Sequence, residues 1–154
     1  MTNNDILRRI RYTFDFNDTK MIDLFAQAGH TVTRAEVSNW LKKEADPAFE
    51  KLHDRLLAIF LNGLISAKRG KKEGFQPVAE KRLNNNLIFR KLKIALNLRD
   101  LDILEILSMT GIHLGKAELN AFFRKPEHKH YRDCKDQILR NFLHGLQLRY
   151  RDES

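Results

Sequence analysis

The chain has 154 residues, with 28 Lys and Arg against 20 Asp and Glu, a formal net charge of +8 and a pI near 9.7. That surplus favours acidic partners such as nucleic acid, and bears on association, not on fold. One cysteine, Cys134, excludes an intrachain disulfide and a cysteine-rich zinc module and suits a reducing compartment. No stretch approaches the roughly 18 apolar residues of a membrane span, and the N-terminus has no uninterrupted apolar core of signal-peptide type, so a soluble cytoplasmic protein without membrane partners is expected.

Apolar spacing predicts four helices in the first 66 residues. Asn3 or Asn4 is placed to cap a helix bearing Ile6, Leu7, Ile10 and Phe14, and Asp18 to cap a second with Met21, Ile22, Leu24 and Phe25, ending at Gly29. The third opens with the capping box Thr33-Arg-Ala-Glu36 and turns Val37, Trp40 and Leu41 inward. A fourth is expected from Asp46-Pro47, an N-cap followed by proline at the first helical position, carrying Phe49, Leu52, Leu56, Leu57, Ile59, Phe60 and Leu64. Residues 67 to 84 then form a basic connector with Gly70, Gly74 and Pro77, expected as an exposed loop. Its KRGKK run reads as a solvated spacer or as a nucleic-acid arm using Lys68, Arg69, Lys71 and Lys72.

From residue 85 the chain repeats itself. An offset of 82 aligns residues 3–65 with 85–147 without a gap and leaves fifteen identical pairs, among them Asn3/Asn85, Asn4/Asn86, Arg8/Arg90, Gly29/Gly111, Glu36/Glu118, Lys43/Lys125, Asp54/Asp136 and Gly63/Gly145. A residue kept in both copies more readily serves each module's fold than a single active site. Lys and Arg balance Asp and Glu at 9 against 9 in the first copy, whereas the second has 11 against 7 and the connector 6 against 2. The second copy differs where Gly115 replaces the capping threonine, Phe122-Phe123 replaces Trp40-Leu41, and EHKH replaces the Asp-Pro start of the last helix. Its second helix, Asp100 to Thr110, is apolar nearly all round and is expected to form the contact between copies. Strand signals are absent. The expected fold is all-α, two tandem four-helix modules with helix-turn-helix-like units, over 1–66 and 85–154, packed as one body or joined flexibly.

The segment 18–47, a helix ending in glycine followed by TRAEVSNWLKKEADP, resembles the helix-turn-helix of repressor-type DNA-binding domains. With Val37, Trp40 and Leu41 inward, Ala35, Ser38, Asn39, Lys42 and Lys43 face outward, and their counterparts are Ala117, Asn120, Ala121, Arg124 and Lys125. Asparagine suits adenine edges, and lysine and arginine suit phosphates. Against this, two packed helices with a polar outer face need no ligand, and Glu36 and Glu118 stand near any phosphate backbone. His128, His130 and Cys134 form an H-x-H-x3-C spacing that reads more simply as incidental than as a metal site. No Walker loop, dinucleotide fingerprint or nucleophile elbow is present, and no catalytic residue, cofactor or metal is expected.

The paired NND and NNL openings, the VSNWLKKEADPAF segment and the FLNGL and FLHGL endings resemble the YehS-like family of small bacterial proteins, over essentially the whole chain. The resemblance implies a duplicated helical fold and a bacterial cytoplasmic setting, and no activity. The residues therefore suggest a nucleic-acid binder, DNA above all, with a protein-interaction adaptor or homo-oligomer without catalytic activity as the alternative.

Overall fold

The first helix, α1 (Asn3–Phe14), is capped by Thr2, the residue before the two asparagines predicted to cap it. Thr2 Oγ1 accepts from Asp5 N and Asp5 Oδ2 accepts from Thr2 N, both at 3.0 Å, so the cap is a Thr-Asp box. α2 (Asp18–Gln27) is likewise capped by Asn17, whose Oδ1 accepts from Lys20 N at 2.8 Å. Asp18 instead lies inside the first turn, where a carboxylate complements the helix dipole. α3 (Arg34–Leu41) starts with the expected box, Thr33 N to Glu36 Oε1 at 2.9 Å and Glu36 N to Thr33 Oγ1 at 3.1 Å.

The computed structural model describes residues 1–70 and 77–151. It corrects the start of the fourth helix: α4 is Asp54–Arg69, and Asp46-Pro47 belongs to the loop before it. Asp46 Oδ1 accepts from Ala48 N at 2.9 Å and its carbonyl accepts from Phe49 N at 3.0 Å, which makes a turn with Pro47 at its second position. Aspartate followed by proline serves a turn as well as a helix start, and here the local side-chain bond selects the turn. At its other end α4 runs through Lys68 and Arg69, past the expected start of the connector.

The second copy repeats the layout in α5 (Asn85–Ala95), α6 (Asp100–Ser108), α7 (Lys116–Ala121) and α8 (Asp136–Tyr150), and the described residues contain no strand. Equivalent residues take the left-handed conformation at the helix ends, Asp15 and Asn97 at φ 53°, Gly29 at 79° and Gly111 at 86°. His128 replaces Asp46 in the loop turn, its Nδ1 accepting from His130 N at 3.0 Å.

Within each copy the last helix packs on the second, α4 on α2 and α8 on α6. Between copies, α4 packs on α5 and α8 packs on α1, two seams that the internal repeat makes equivalent. One continuous apolar cluster spans both copies, so they form one body. The predicted role of α6 in that contact does not hold: it packs on α8 and α7 of its own copy, burying Ile103, Ile106 and Leu107 while Leu101 stays 71% exposed. A nine-residue helix needs only one buried face, and the longer first and last helices already fill the seams. The described part of the connector closes over the α4/α5 seam, with Leu83 N donating to Asp54 Oδ2 at 2.8 Å and Glu80 pairing with Lys91 at 3.0 Å.

Candidate nucleic-acid interface

α3 is oriented by Val37 and Trp40, both buried, with the Trp40 ring 5.4 Å from that of Phe25 on α2. Ser38, Asn39 and Lys42 then lie half-buried at its C-terminal end, and Lys43 is exposed. The first three engage one another. Lys42 Nζ donates to Ser38 Oγ at 3.1 Å and to Asn39 Oδ1 at 3.2 Å, so Asn39 presents to solvent an amide whose oxygen already has a donor.

The loop that follows is fastened to α1 by residues kept in both copies. Asn4 Nδ2 donates to Trp40 O and Glu50 O, each at 2.9 Å, and Asn4 Oδ1 accepts from Leu52 N at 2.9 Å. Asn86 repeats all three bonds with Phe122 O, Arg132 O and Cys134 N. Asn3 Nδ2 reaches Leu52 O at 3.1 Å and Asp54 Oδ1 at 2.7 Å, and Asn85 does the same with Cys134 O and Asp136. Arg8 Nη1 donates to Lys42 O at 2.7 Å, and Arg90 donates to Phe123 O. The asparagines read from sequence as helix caps are thus the clasps of the α3–α4 and α7–α8 loops. Burial pushes the Asp54 carboxyl upward, but the hydrogen bonds from Leu83 N and Asn3 outweigh it and leave the group below its ordinary range.

In the second copy Arg124 and Lys125 are exposed and Asn120 is half-buried, but Ala121, expected to face outward, is 5% exposed. α7 has only six residues, and Phe122, the equivalent of Trp40, rotates its last turn against Phe89 at a centroid distance of 6.2 Å. Lys68 and Arg69 lie elsewhere, in the last turn of α4, with the Lys68 ammonium 5.8 Å above the Phe14 ring. Lys42 meets α1 at Arg8, roughly 9 Å along the axis from Phe14. The candidates therefore fall into two loop-end clusters, Ser38-Asn39-Lys42-Lys43 and Asn120-Arg124-Lys125, with Lys68-Arg69 apart; Lys71 and Lys72 lie outside the described residues.

Other chemistry finds no constellation. Cys134 is buried, and burial, aided by Asp136, pushes its thiol up to about 12, a poor thiolate. Among the described residues no three His, Cys, Asp or Glu side chains are grouped to hold a metal. No helix there is long and apolar enough to cross a membrane. Sequence reasoning overlooked a basic groove at the α1/α8 seam, about 510 Å³, to which Arg8, Arg9 and Arg140 contribute. The repeat points to only one of these arginines, since Arg9 faces Lys91 and Arg140 faces Ala58 in the alignment.

The duplication seen in the fold is also the pattern of a recognised family. The family described as protein of unknown function (DUF1456) matches twice, over residues 3–70 and 85–152. The chain is similar to the uncharacterised protein YehS of Escherichia coli (strain K12), with 41% identity over 150 residues, 97% of this chain and 96% of that protein. No solved structure matches. Two family matches, one on each set of four helices, cover most of the sequence, and the chain belongs to the DUF1456 family.

Proposed function

We propose that this protein is a non-catalytic, cytoplasmic nucleic-acid binder, duplex DNA being the favoured partner, which engages phosphates through the loop ends that follow α3 and α7. The observation that carries this reading is the pair of exposed lysines, Lys43 and Lys125, kept at one position of both copies on loops held by the same asparagine bonds. A cation on a preorganised loop binds phosphate with less ordering cost than one on a flexible arm. In this reading α2–α3 and α6–α7 act as helix-turn-helix-like units, with Ser38, Asn39 and Asn120 near base edges and Lys42, Lys43, Arg124 and Lys125 on the backbone. Lys68 and Arg69 add charge at a second place.

Fluorescence anisotropy of labelled duplex DNA, single-stranded DNA and structured RNA over a salt series tests it. Binding should weaken linearly in the logarithm of salt. The Lys42, Lys43, Arg124, Lys125 quadruple alanine variant should lose affinity, with the slope shallower by about one per phosphate contact removed. Parent-like binding by that variant, or no binding at low salt, rejects the surface. One observation favours a second reading as a self-associating or adaptor protein: Leu101 on α6 and Met109 at its C-cap are 71% and 44% exposed. Light scattering over a concentration range checks it, since that reading requires salt-insensitive association and a strictly monomeric protein without protein partners rejects it.

A further inference from the structure

The two inter-copy seams are equivalent by the repeat but are finished differently. At the α4/α5 seam the cation from the first turns of α5, Lys91, is neutralised: its Nζ donates to Asn62 Oδ1 at 2.6 Å and lies 3.0 Å from the Glu80 carboxylate of the connector. Only 11% of that lysine side chain is exposed. The neighbouring positions on α4 are Ala58, fully buried, and Ile65. At the α1/α8 seam the same positions carry Arg9, Arg140 and Gln147, and they line an open groove of about 510 Å³ with Asp5, Arg8 and Tyr12. Arg9 has no hydrogen-bond or ion-pair partner among the described residues, and no described carboxylate stands to it as Glu80 stands to Lys91.

The charges of the groove can be followed one by one. Arg8 is committed, donating to Asp5 and to Lys42 O. Asp136, one turn before Arg140 on α8, is held by Asn85 Nδ2 at 2.7 Å and pairs with the Met1 ammonium, which also lines the groove, at 3.4 Å. Two guanidinium groups, those of Arg9 and Arg140, remain without a bonded carboxylate on facing helices. Planar guanidinium forks match phosphate oxygens in pairs, and two of them balance a dianion. The volume lies within the range of roughly 300–1,000 Å³ of small-molecule sites. Because the equivalent helices hold Ala58 and Ile65 where these have Arg140 and Gln147, the polarity of this groove comes from its side chains and not from the crossing of the helices.

We propose that the α1/α8 groove binds the phosphate group of a small phosphomonoester, with Arg9 and Arg140 as its ligands, and that the Glu80–Lys91 pair at the other seam is the internal counterpart of that contact. The groove adjoins the α3 loop end through Arg8, but its ligands Arg9 and Arg140 are not among the residues assigned to nucleic acid, and the two readings are tested by different variants. Titration calorimetry of the full-length protein with inorganic phosphate and with adenosine 5′-monophosphate should give saturable binding of one equivalent. Adenosine and acetate, lacking the dianion, should bind at least tenfold more weakly. The Arg9→Ala/Arg140→Ala variant should lose tenfold or more in affinity for phosphate, whereas Lys43→Ala/Lys125→Ala should bind phosphate as the parent does. Chemical-shift mapping of the arginine Nε–H resonances of the unaltered protein supplies a readout independent of variant folding, with Arg9 and Arg140 expected to move on phosphate addition. Non-saturable binding, equal binding of acetate, parent-like affinity of the arginine variant, or shifts confined to other arginines each overturns the assignment. Loss of duplex DNA binding in the lysine variant with phosphate affinity retained leaves it intact.

Discussion

Asn4 is 1% exposed and satisfies three backbone groups from two separate stretches of chain, at Trp40, Glu50 and Leu52. Its side chain stands in for a strand partner: an amide presents one acceptor and two donors, which is what a loop without regular structure lacks. Leaving buried backbone groups unpaired costs about 1–3 kcal/mol each, only partly relieved by entering water. Asn4→Ala is therefore expected to destabilise by roughly 3 kcal/mol, read as a lower denaturant midpoint with an unchanged slope. Asn4→Asp should not restore stability, because it replaces two donors with an acceptor facing carbonyls. A midpoint within experimental error of the parent for Asn4→Ala would remove the clasp from this account. The aromatic residues show another local economy: the ring on the last helix of each copy meets a ring from a different element, Phe25 of α2 with Phe60 at 5.3 Å and Phe89 of α5 with Phe142 at 4.5 Å. The equivalents of those partners, Leu107 and Leu7, are both buried leucines. Bulk is exchanged between helices while the ring on each last helix keeps an aromatic partner.

Between elements, the closest constraint is glycine at the crossing of the last helix over the second. A Cβ built on Gly63 would sit 1.7 Å from Leu24 O, and one on Gly145 would sit 2.5 Å from Ile106 O. Both neighbours are backbone atoms of a packed helix, so relief requires the helices to separate. Gly63→Ala should destabilise by about 3 kcal/mol or more and Gly145→Ala by less, in the range of about 1–3 kcal/mol. Thermal midpoints of the two variants check the order, and a neutral Gly63→Ala would mean that the crossing is looser than described. Helix identities and the α3 capping box were legible in the sequence, because apolar spacing and cap chemistry are local. The caps of α1 and α2 were misread by one or two residues because runs such as TNN and NDT offer adjacent side chains of equal capping ability. Choosing between them depends on where the second side chain is needed, and Asn3 and Asn4 are needed by a loop some fifty residues away.

For the molecule as a whole, the copies share their core. α1 and α4 make their principal contacts with α8 and α5, so each half alone exposes two seam faces. A chain of about 65 residues buries too little surface to offset that exposure. Separately produced halves 1–70 and 85–151 are expected to lack a cooperative melting transition when dilute, to gain helix with concentration by pairing with like halves, and to recover full helicity when mixed. Two sharp, concentration-independent transitions from the isolated halves would show that the seams are secondary. The amino-acid sequence by itself determined that the chain is helical, duplicated and basic, because periodicity, repetition and charge are properties of residues and their near neighbours. Only the tertiary structure decided which helices form the seams, that α6 stays within its copy, and that Arg9 and Arg140 line one groove while Glu80 closes the other seam. Those outcomes depend on juxtapositions of residues from 11 to 131 positions apart, where many pairings satisfy the same local pattern and packing selects among them.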